Sequence, residues 1–276
     1  FKQKTAYEIS LGLVGSEMCI RDRYMSLENK TVIVTGASTG IGRETSIELG
    51  KIGMNVVIGN RNEKLGNEVV DIIKSNGGNA KFLKTDVSVE NDVKNLTQFA
   101  LDEFGEFNYA FNNSGLLGDV EPISDQNPKD AGYIVDVNIK GVIYCLHYQI
   151  KEMLKYASKD CPCSIVNNSS ILSHAGYPGL TVYSSTKHAV TGLTKGAAAE
   201  CAESNIRVNA VGPGPIRTPM LEIPTEGHPE QFGGMVPMQR IGEPKEISDA
   251  VIWLFSENSS YVTGHTLMID GGFCAK

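Results

Sequence analysis

Tyr183 and Lys187 stand four residues apart in the run Tyr-Ser-Ser-Thr-Lys, which opens an amphipathic stretch near 181–203. On a helix that spacing puts both side chains on one face. A phenol beside an ammonium is an acid/base pair, because the cation favours phenolate and draws the phenol down from its ordinary pKa of ~10. Thirteen residues before Tyr183, Ser170 directly follows a β-branched run over 164–168. Its hydroxyl there is a candidate hydrogen-bond donor to a substrate carbonyl. A Tyr-x-x-x-Lys pair alone carries little information, and its weight depends on what surrounds it.

A second cluster sits near the front of the chain, in Thr35-Gly36-Ala37-Ser38-Thr39-Gly40-Ile41-Gly42. Its three glycines follow a strand pattern and open a helix pattern. A tight turn of this kind needs positive φ, a pyrophosphate must reach backbone N–H groups past no Cβ, and the helix must pack closely on its strand. The helix N-terminus then offers free N–H groups and a positive dipole end to phosphates. The spacing is G-x-x-x-G-x-G, and its position at the head of a βαβ series makes it a dinucleotide loop. At the end of the second strand, where an acid normally takes the NAD ribose hydroxyl, the chain reads Gly59-Asn60-Arg61. Asn60 brings no charge to repel a 2'-phosphate and Arg61 offers a fork to bind one, which favours NADP(H). NAD(H) stays open, with Asn60 bonding the ribose and Arg61 in solvent. An oxidised nicotinamide near Tyr183 would, like Lys187, favour phenolate.

These groups need a scaffold, and the chain alternates short β-branched runs with longer amphipathic ones, the signature of βαβ units. Strands are expected over 31–35, 55–60, 80–86, 107–112, 164–168, 207–211 and 266–269, and helices near 41–52, 62–75, 89–104, 129–156, 181–203 and 244–255. In the last helix Ile247, Val251, Leu254 and Phe255 form a core stripe. The expected fold is a single-domain α/β Rossmann type: a doubly wound, seven-stranded parallel sheet with helices on both faces and ligands at the strand carboxyl ends.

Composition agrees with one such domain. The 276 residues are 41% hydrophobic and 21% charged, and a single α/β domain of about 250 residues is common. A net charge of −7 argues against nucleic acid as a partner. No apolar run reaches the 18 or so residues of a membrane span, so no membrane partner is expected. Cys19, Cys145, Cys161, Cys163, Cys201 and Cys274 contain no C-x-x-C pair and no zinc spacing, which suggests reduced thiols in a cytoplasmic protein and no metal site. Gly is in excess, at 29 residues.

Taken together, the chain resembles a short-chain dehydrogenase/reductase of the ~250-residue type from Leu27 to Gly272. The resemblance rests on the loop from Thr35 to Gly42, Asp86-Val87, Asn112-Asn113-Ser114-Gly115, Asn138, Ser170, Tyr183-x-x-x-Lys187, Pro213-Gly214 and Asp270-Gly271-Gly272. It implies hydride transfer between a nicotinamide and a small carbonyl or secondary-alcohol substrate. By resemblance, Tyr183 is the general acid/base, Lys187 holds the nicotinamide ribose and Ser170 orients the substrate oxygen. Asn138 kinks its helix to hold a water in a relay to Lys187. Asp86 and Val87 contact adenine, and Asn112 ties the central strand near the adenosine ribose. Pro213, Gly214, Ile216 and Thr218 frame the nicotinamide, and Ser114 and Gly115 join the loop residues Gly36, Ser38, Thr39, Gly40, Ile41 and Gly42 in binding the cofactor. Two departures are visible: Ser114 replaces the family's usual Ala, and Thr39 stands where many NADP-preferring relatives carry Lys or Arg. A non-catalytic, redox-sensing dinucleotide module is the alternative, although it has no need for Ser170, Tyr183, Lys187 and Asn138 together. The resemblance also implies a homotetramer. Val142, Tyr144, Leu146 and Tyr148 suit an interface, and they suit plain core burial as well.

Two segments fall outside this pattern. From Pro215 to Gly242 the chain is rich in Pro and Gly, as in a lid. Met220, Leu221, Ile223, Phe232, Met235 and Met238 would be its apolar ceiling or would pack on the domain, and His174 and Tyr177 would line the pocket. At the front, Met18-Cys19-Ile20-Arg21-Asp22-Arg23 back-translates to a sequence resembling a transposon end used in library adapters. Residues 1–24 are therefore expected to be a non-native or disordered extension, with Met25 an ordinary start for a domain over 25–276; a native extension is the alternative.

Overall fold

The computed structural model describes residues 27–222, 225 and 227–275. The expected extension over 1–24 and the ceiling residue Ile223 lie outside the described residues. Seven strands form one parallel sheet: β1 (Thr31–Thr35), β2 (Asn55–Asn60), β3 (Asn79–Lys84), β4 (Tyr109–Asn112), β5 (Cys163–Asn168), β6 (Ile206–Pro213) and β7 (Thr266–Ile269), in the order β3-β2-β1-β4-β5-β6-β7. The order reverses between β1 and β4, and at such a switch point the loops above the strands part to leave a crevice.

Helices connect the strands: α1 (Gly40–Lys51), α2 (Glu63–Ser75), α3 (Glu90–Phe104), α4 (Pro128–Val135), α5 (Gly141–Met153), α6 (Thr181–Cys201), the short α7 (Pro219–Glu222) and α8 (Pro244–Phe255). Both sheet faces are covered, so the strands alternate between two cores. Val32 and Val34 of β1 join Ile47 and Leu49 of α1 and the whole expected stripe of α8. Ile33, between them, turns to the other face and meets Leu96 of α3, Leu146 of α5 and Val190 of α6.

One expected helix is two. The stretch near 129–156 is interrupted by a π-turn over Asp136–Lys140, where the Gly141 N–H donates to the Asp136 carbonyl five residues back. Such a turn widens the helix locally and recurs at functional sites. Asn138 lies at its centre, 1% exposed. Val142 and Leu146 prove to be core residues, while Tyr144 and Tyr148 pack against a smaller cluster with Val87 and Val137. The large hydrophobic side chains left outward along this stretch include Tyr133, Ile143 and Leu154.

Candidate active site

The ends of β1 and β4 are laced together at the switch point. The Thr35 hydroxyl accepts from the Asn113 and Ser114 N–H groups at 3.1 and 3.3 Å. The Asn113 amide in turn donates to the Thr35 and Gly36 carbonyls. Gly36 has φ +67°, and a Cβ there would stand 2.9 Å from the Ser114 backbone. At Gly42 a Cβ would fall 2.4 Å from both the Asn113 amide nitrogen and the Gly36 carbonyl oxygen. The loop is thus a cradle that closes only without side chains at these two positions. Thr39 precedes α1 in extended conformation and makes no side-chain cap bond, which leaves the first-turn N–H groups open to a ligand.

Beside this loop runs a cleft of about 710 Å³, within the range of ligand sites. Gly36, Ser38, Thr39, Gly40, Ile41, Asn60, Arg61, Asp86, Val87, Ser114, Gly115 and Thr218 line it, as the sequence leads one to expect. Gly42 lies beneath the loop and keeps it tight. The uncapped helix end, the Cβ-free cradle and the volume of the cleft fit a dinucleotide.

Asn112 is buried on β4 and ties that central strand to β5 and α5, as expected, but does not line the cleft: its amide donates to Gln149 and Asn167 and its carbonyl oxygen accepts from Gln149. Side chains alternate along a strand, so Asn113 reaches the cleft in its place. Asn168, at the end of β5, was also not anticipated. Its amide donates to Asn113 at 2.8 Å, and its own side-chain oxygen is buried with no partner among the described residues.

Tyr183, Ser170 and Lys187 meet in an adjoining cavity of about 220 Å³ that also contains Pro213, Gly214, Ile216 and Thr218. Tyr183 and Lys187 lie on the first turns of α6, with the ammonium 5.4 Å from the phenol ring centroid. The Lys187 Nζ donates to the Asn168 carbonyl at 2.8 Å, tying helix to strand. Ser170 opens a short 3₁₀ turn, and its hydroxyl accepts from the Leu172 N–H at 3.1 Å while hydrogen-bonded to Tyr183. Asn138 completes the frame: it exchanges two 2.8 Å hydrogen bonds with the Leu116 backbone and donates to the Thr186 hydroxyl.

Burial sets the electrostatics here. The Tyr183 pKa is pushed up to about 12 by desolvation, against which the Ser170 hydrogen bond pulls weakly. Lys187 is pulled down to about 8 by the same loss of water. Burial thus raises the phenol's pKa, the opposite sense to the lowering expected from Lys187 and an oxidised nicotinamide.

The pocket wall is apolar: Leu117, Val120, Ile171, Leu172, Leu180, Met220, Leu221, Phe232, Met235 and Phe273, with Tyr177 alongside. Met238 instead borders a separate cavity near Asp270 and is 66% exposed. His174 is exposed and bonded to the Ser173 hydroxyl, and so does not line the cavity.

Comparison with known proteins shows the family. The profile of the family described as enoyl-(acyl carrier protein) reductase matches residues 36–274. The chain belongs to the short-chain dehydrogenase/reductase family. It is 36% identical over 248 residues to a cyclohexanol dehydrogenase of Acinetobacter sp. (strain SE19), covering 90% of this chain and 96% of that one. It is also 36% identical over 251 residues to glucose 1-dehydrogenase 2 of Bacillus subtilis (strain 168), at 90% and 96% coverage. Among solved structures, a 3-ketoacyl-(acyl-carrier-protein) reductase from Brucella melitensis complexed with NADH superposes with a TM-score of 0.84 at 31% identity, covering 90% of this chain and 99% of that one. This short-chain dehydrogenase/reductase is an NAD(P)-dependent oxidoreductase acting on CH–OH and C=O groups of small molecules, and the non-catalytic reading is set aside. Among the described residues no helix is long and apolar enough to cross a membrane.

Proposed function

We propose that the enzyme interconverts a small, uncharged, apolar ketone and its secondary alcohol, with NADP(H) the preferred cofactor. The observation that carries this reading is the cavity itself: Tyr183 and Ser170 line it, and Lys187 is the only charged residue among the described residues lining it. Two relatives of equal identity, one named for cyclohexanol and one for glucose, pull in different directions, and the wall supports the first. A sugar would leave several hydroxyls facing Leu, Ile, Met and Phe without partners, each costing ~1–3 kcal/mol. A carboxylate or phosphate would meet no cation other than Lys187 among the described residues of the lining.

In this reading Tyr183, protonated at neutral pH, donates to the carbonyl oxygen while the Ser170 hydroxyl hydrogen-bonds the same oxygen. Lys187, held by Asn168, binds the nicotinamide ribose and steadies the phenolate left behind. Asn138, in its π-turn, holds a water that reconnects Lys187 to solvent. Asp86 and Val87 bracket adenine, the loop from Gly36 to Gly42 takes the pyrophosphate, and Pro213, Gly214, Ile216 and Thr218 frame the nicotinamide beside Ser114 and Gly115. When bound, the cofactor gives or takes the hydride. The NADP preference rests on Arg61 and the uncharged Asn60. Five free thiols among the described residues agree with a cytoplasmic enzyme, and the outward Ile143 and Leu154 beside a groove between α5 and α6 agree with a homotetramer.

The test is a set of substrates at equal concentration: cyclohexanone, glucose and a 2-oxo acid, followed by absorbance at 340 nm. The neutral ring ketone or its alcohol is expected to exceed the others in kcat/KM by about a hundredfold, roughly the ~3 kcal/mol of one or two unpaired hydroxyls. Faster turnover of glucose would overturn the substrate class.

A further inference from the structure

Arg61 does not hang free at the end of β2. Its NH1 donates to the phenol oxygen of Tyr133, 72 positions away on α4, and its guanidinium carbon stands 6.0 Å from that ring's centroid. The same nitrogen is 4.0 Å from an Asp86 carboxylate oxygen, while the other Asp86 oxygen accepts from the Ser88 N–H and hydroxyl at 3.0 and 2.7 Å. Arg61 and Asp86 both line the cleft. The side chain therefore stands at the cleft beside Asp86, anchored by the Tyr133 hydroxyl and ring.

This contact matters for a cofactor that differs from its rival by one phosphate. A solvent-exposed arginine loses much rotamer freedom when it grips a phosphate, and prior anchoring removes part of that cost. The contact with Tyr133 occupies one N–H of the fork, and the Nε and NH2 groups have no partner among the described residues. Those remaining donors can meet two oxygens of one phosphate. Asp86 by itself would repel a dianion, and Arg61 held beside it offsets that charge.

We propose that Tyr133 is a cofactor-specificity residue, which positions the Arg61 guanidinium over the end of the cleft to receive the ribose 2'-phosphate of NADP(H). This rests on the reading of Arg61 given above. Tyr133 acts through Arg61 and touches no reacting atom.

Isothermal titration calorimetry on the full chain tests it, with NADP+, NAD+ and 2',5'-ADP as probes. Tyr133→Phe, which keeps the ring and removes the hydroxyl, is expected to weaken NADP+ and 2',5'-ADP about fivefold, equivalent to ~1 kcal/mol. NAD+ should move less than twofold. Tyr133→Ala, which removes the ring as well, is expected to weaken both phosphate-bearing probes by about tenfold or more. In an Arg61→Ala background neither Tyr133 change should have a further effect. Equal weakening of NADP+ and NAD+, or no change for NADP+, would overturn the proposal. If Arg61→Ala collapses the NADP+/NAD+ ratio while the Tyr133 variants leave it intact, Tyr133 alone is refuted; if Arg61→Ala leaves the ratio intact, the Arg61 reading falls as well.

Discussion

Replacing Lys187 with Met should make this enzyme more stable. Burial lowers the Lys187 pKa from 10.5 to about 8. At ~1.36 kcal/mol per pH unit, holding the ammonium in the pocket costs the folded state about 3 kcal/mol at neutral pH. The side chain is 4% exposed, so solvent screening does little to reduce that figure. Its hydrogen bond to the Asn168 carbonyl returns ~1–2 kcal/mol. Met has a similar length and no charge, so the variant should gain about 1–2 kcal/mol, or roughly 3–6 °C in Tm for a chain of this size. The pH dependence follows from linkage. Between pH 8 and 10.5 the unfolded chain holds a proton on Lys187 that the folded chain has lost, so stability rises with pH across that window. Buried thiols such as Cys145 and phenols such as Tyr183, raised to about 12, act in the opposite sense at the top of this range. They are common to both proteins and cancel in the difference. Urea unfolding of the cofactor-free wild type and Lys187→Met from pH 7 to 10.5 gives that difference directly. The variant's advantage should be largest at pH 7 and shrink by about 1.4 kcal/mol per unit above pH 8. A variant less stable than wild type at pH 7, or an advantage independent of pH, would refute the reasoning.

Three further outcomes follow from the geometry. Gly42→Ala places a Cβ 2.4 Å from the Asn113 amide and the Gly36 carbonyl; it should cost about 1–3 kcal/mol in urea unfolding and weaken both dinucleotides alike in titration calorimetry. Asn138→Ala leaves the half-buried Leu116 N–H and carbonyl without their 2.8 Å partners, and about 1–3 kcal/mol of stability should be lost, measured the same way. With the Tyr183 pKa near 12, the phenol is ready to donate a proton at neutral pH but not to accept one. Alcohol oxidation should therefore climb with pH between 7 and 10 while carbonyl reduction stays flat over the same range; flat profiles in both directions would contradict this.

Much of the molecule was legible because its signals are local. The β-branched runs end at glycine-rich turns, so all seven strands were found with boundary shifts of a few residues, and the i, i+4 spacing on α6 brought Tyr183 and Lys187 together. Orientation was harder to read. Asn112 and Asn113 are adjacent and chemically identical, and only the register of β4 determines which one meets the cleft. The π-turn around Asn138 has no distinct periodic signature over five residues. Met238 sits among residues that do form the apolar wall, yet the chain reverses after the 3₁₀ turn over Pro229–Met235 and takes it to another cavity. The depressed lysine and raised phenol depend on how much water the folded pocket excludes, which spacing does not report. The contact between Arg61 and Tyr133 spans elements that no local pattern connects.

The central claim is that Tyr183 moves the proton in a pocket that binds the cofactor without it. Tyr183→Phe keeps the buried ring and removes only the hydroxyl, so NADPH titration and 340 nm turnover with a neutral ketone can be compared in one preparation. The account predicts a dissociation constant within about threefold of wild type and a kcat lowered by roughly 10²–10⁴, the range for losing a positioned general acid. Turnover within tenfold of wild type, with binding intact, would contradict it.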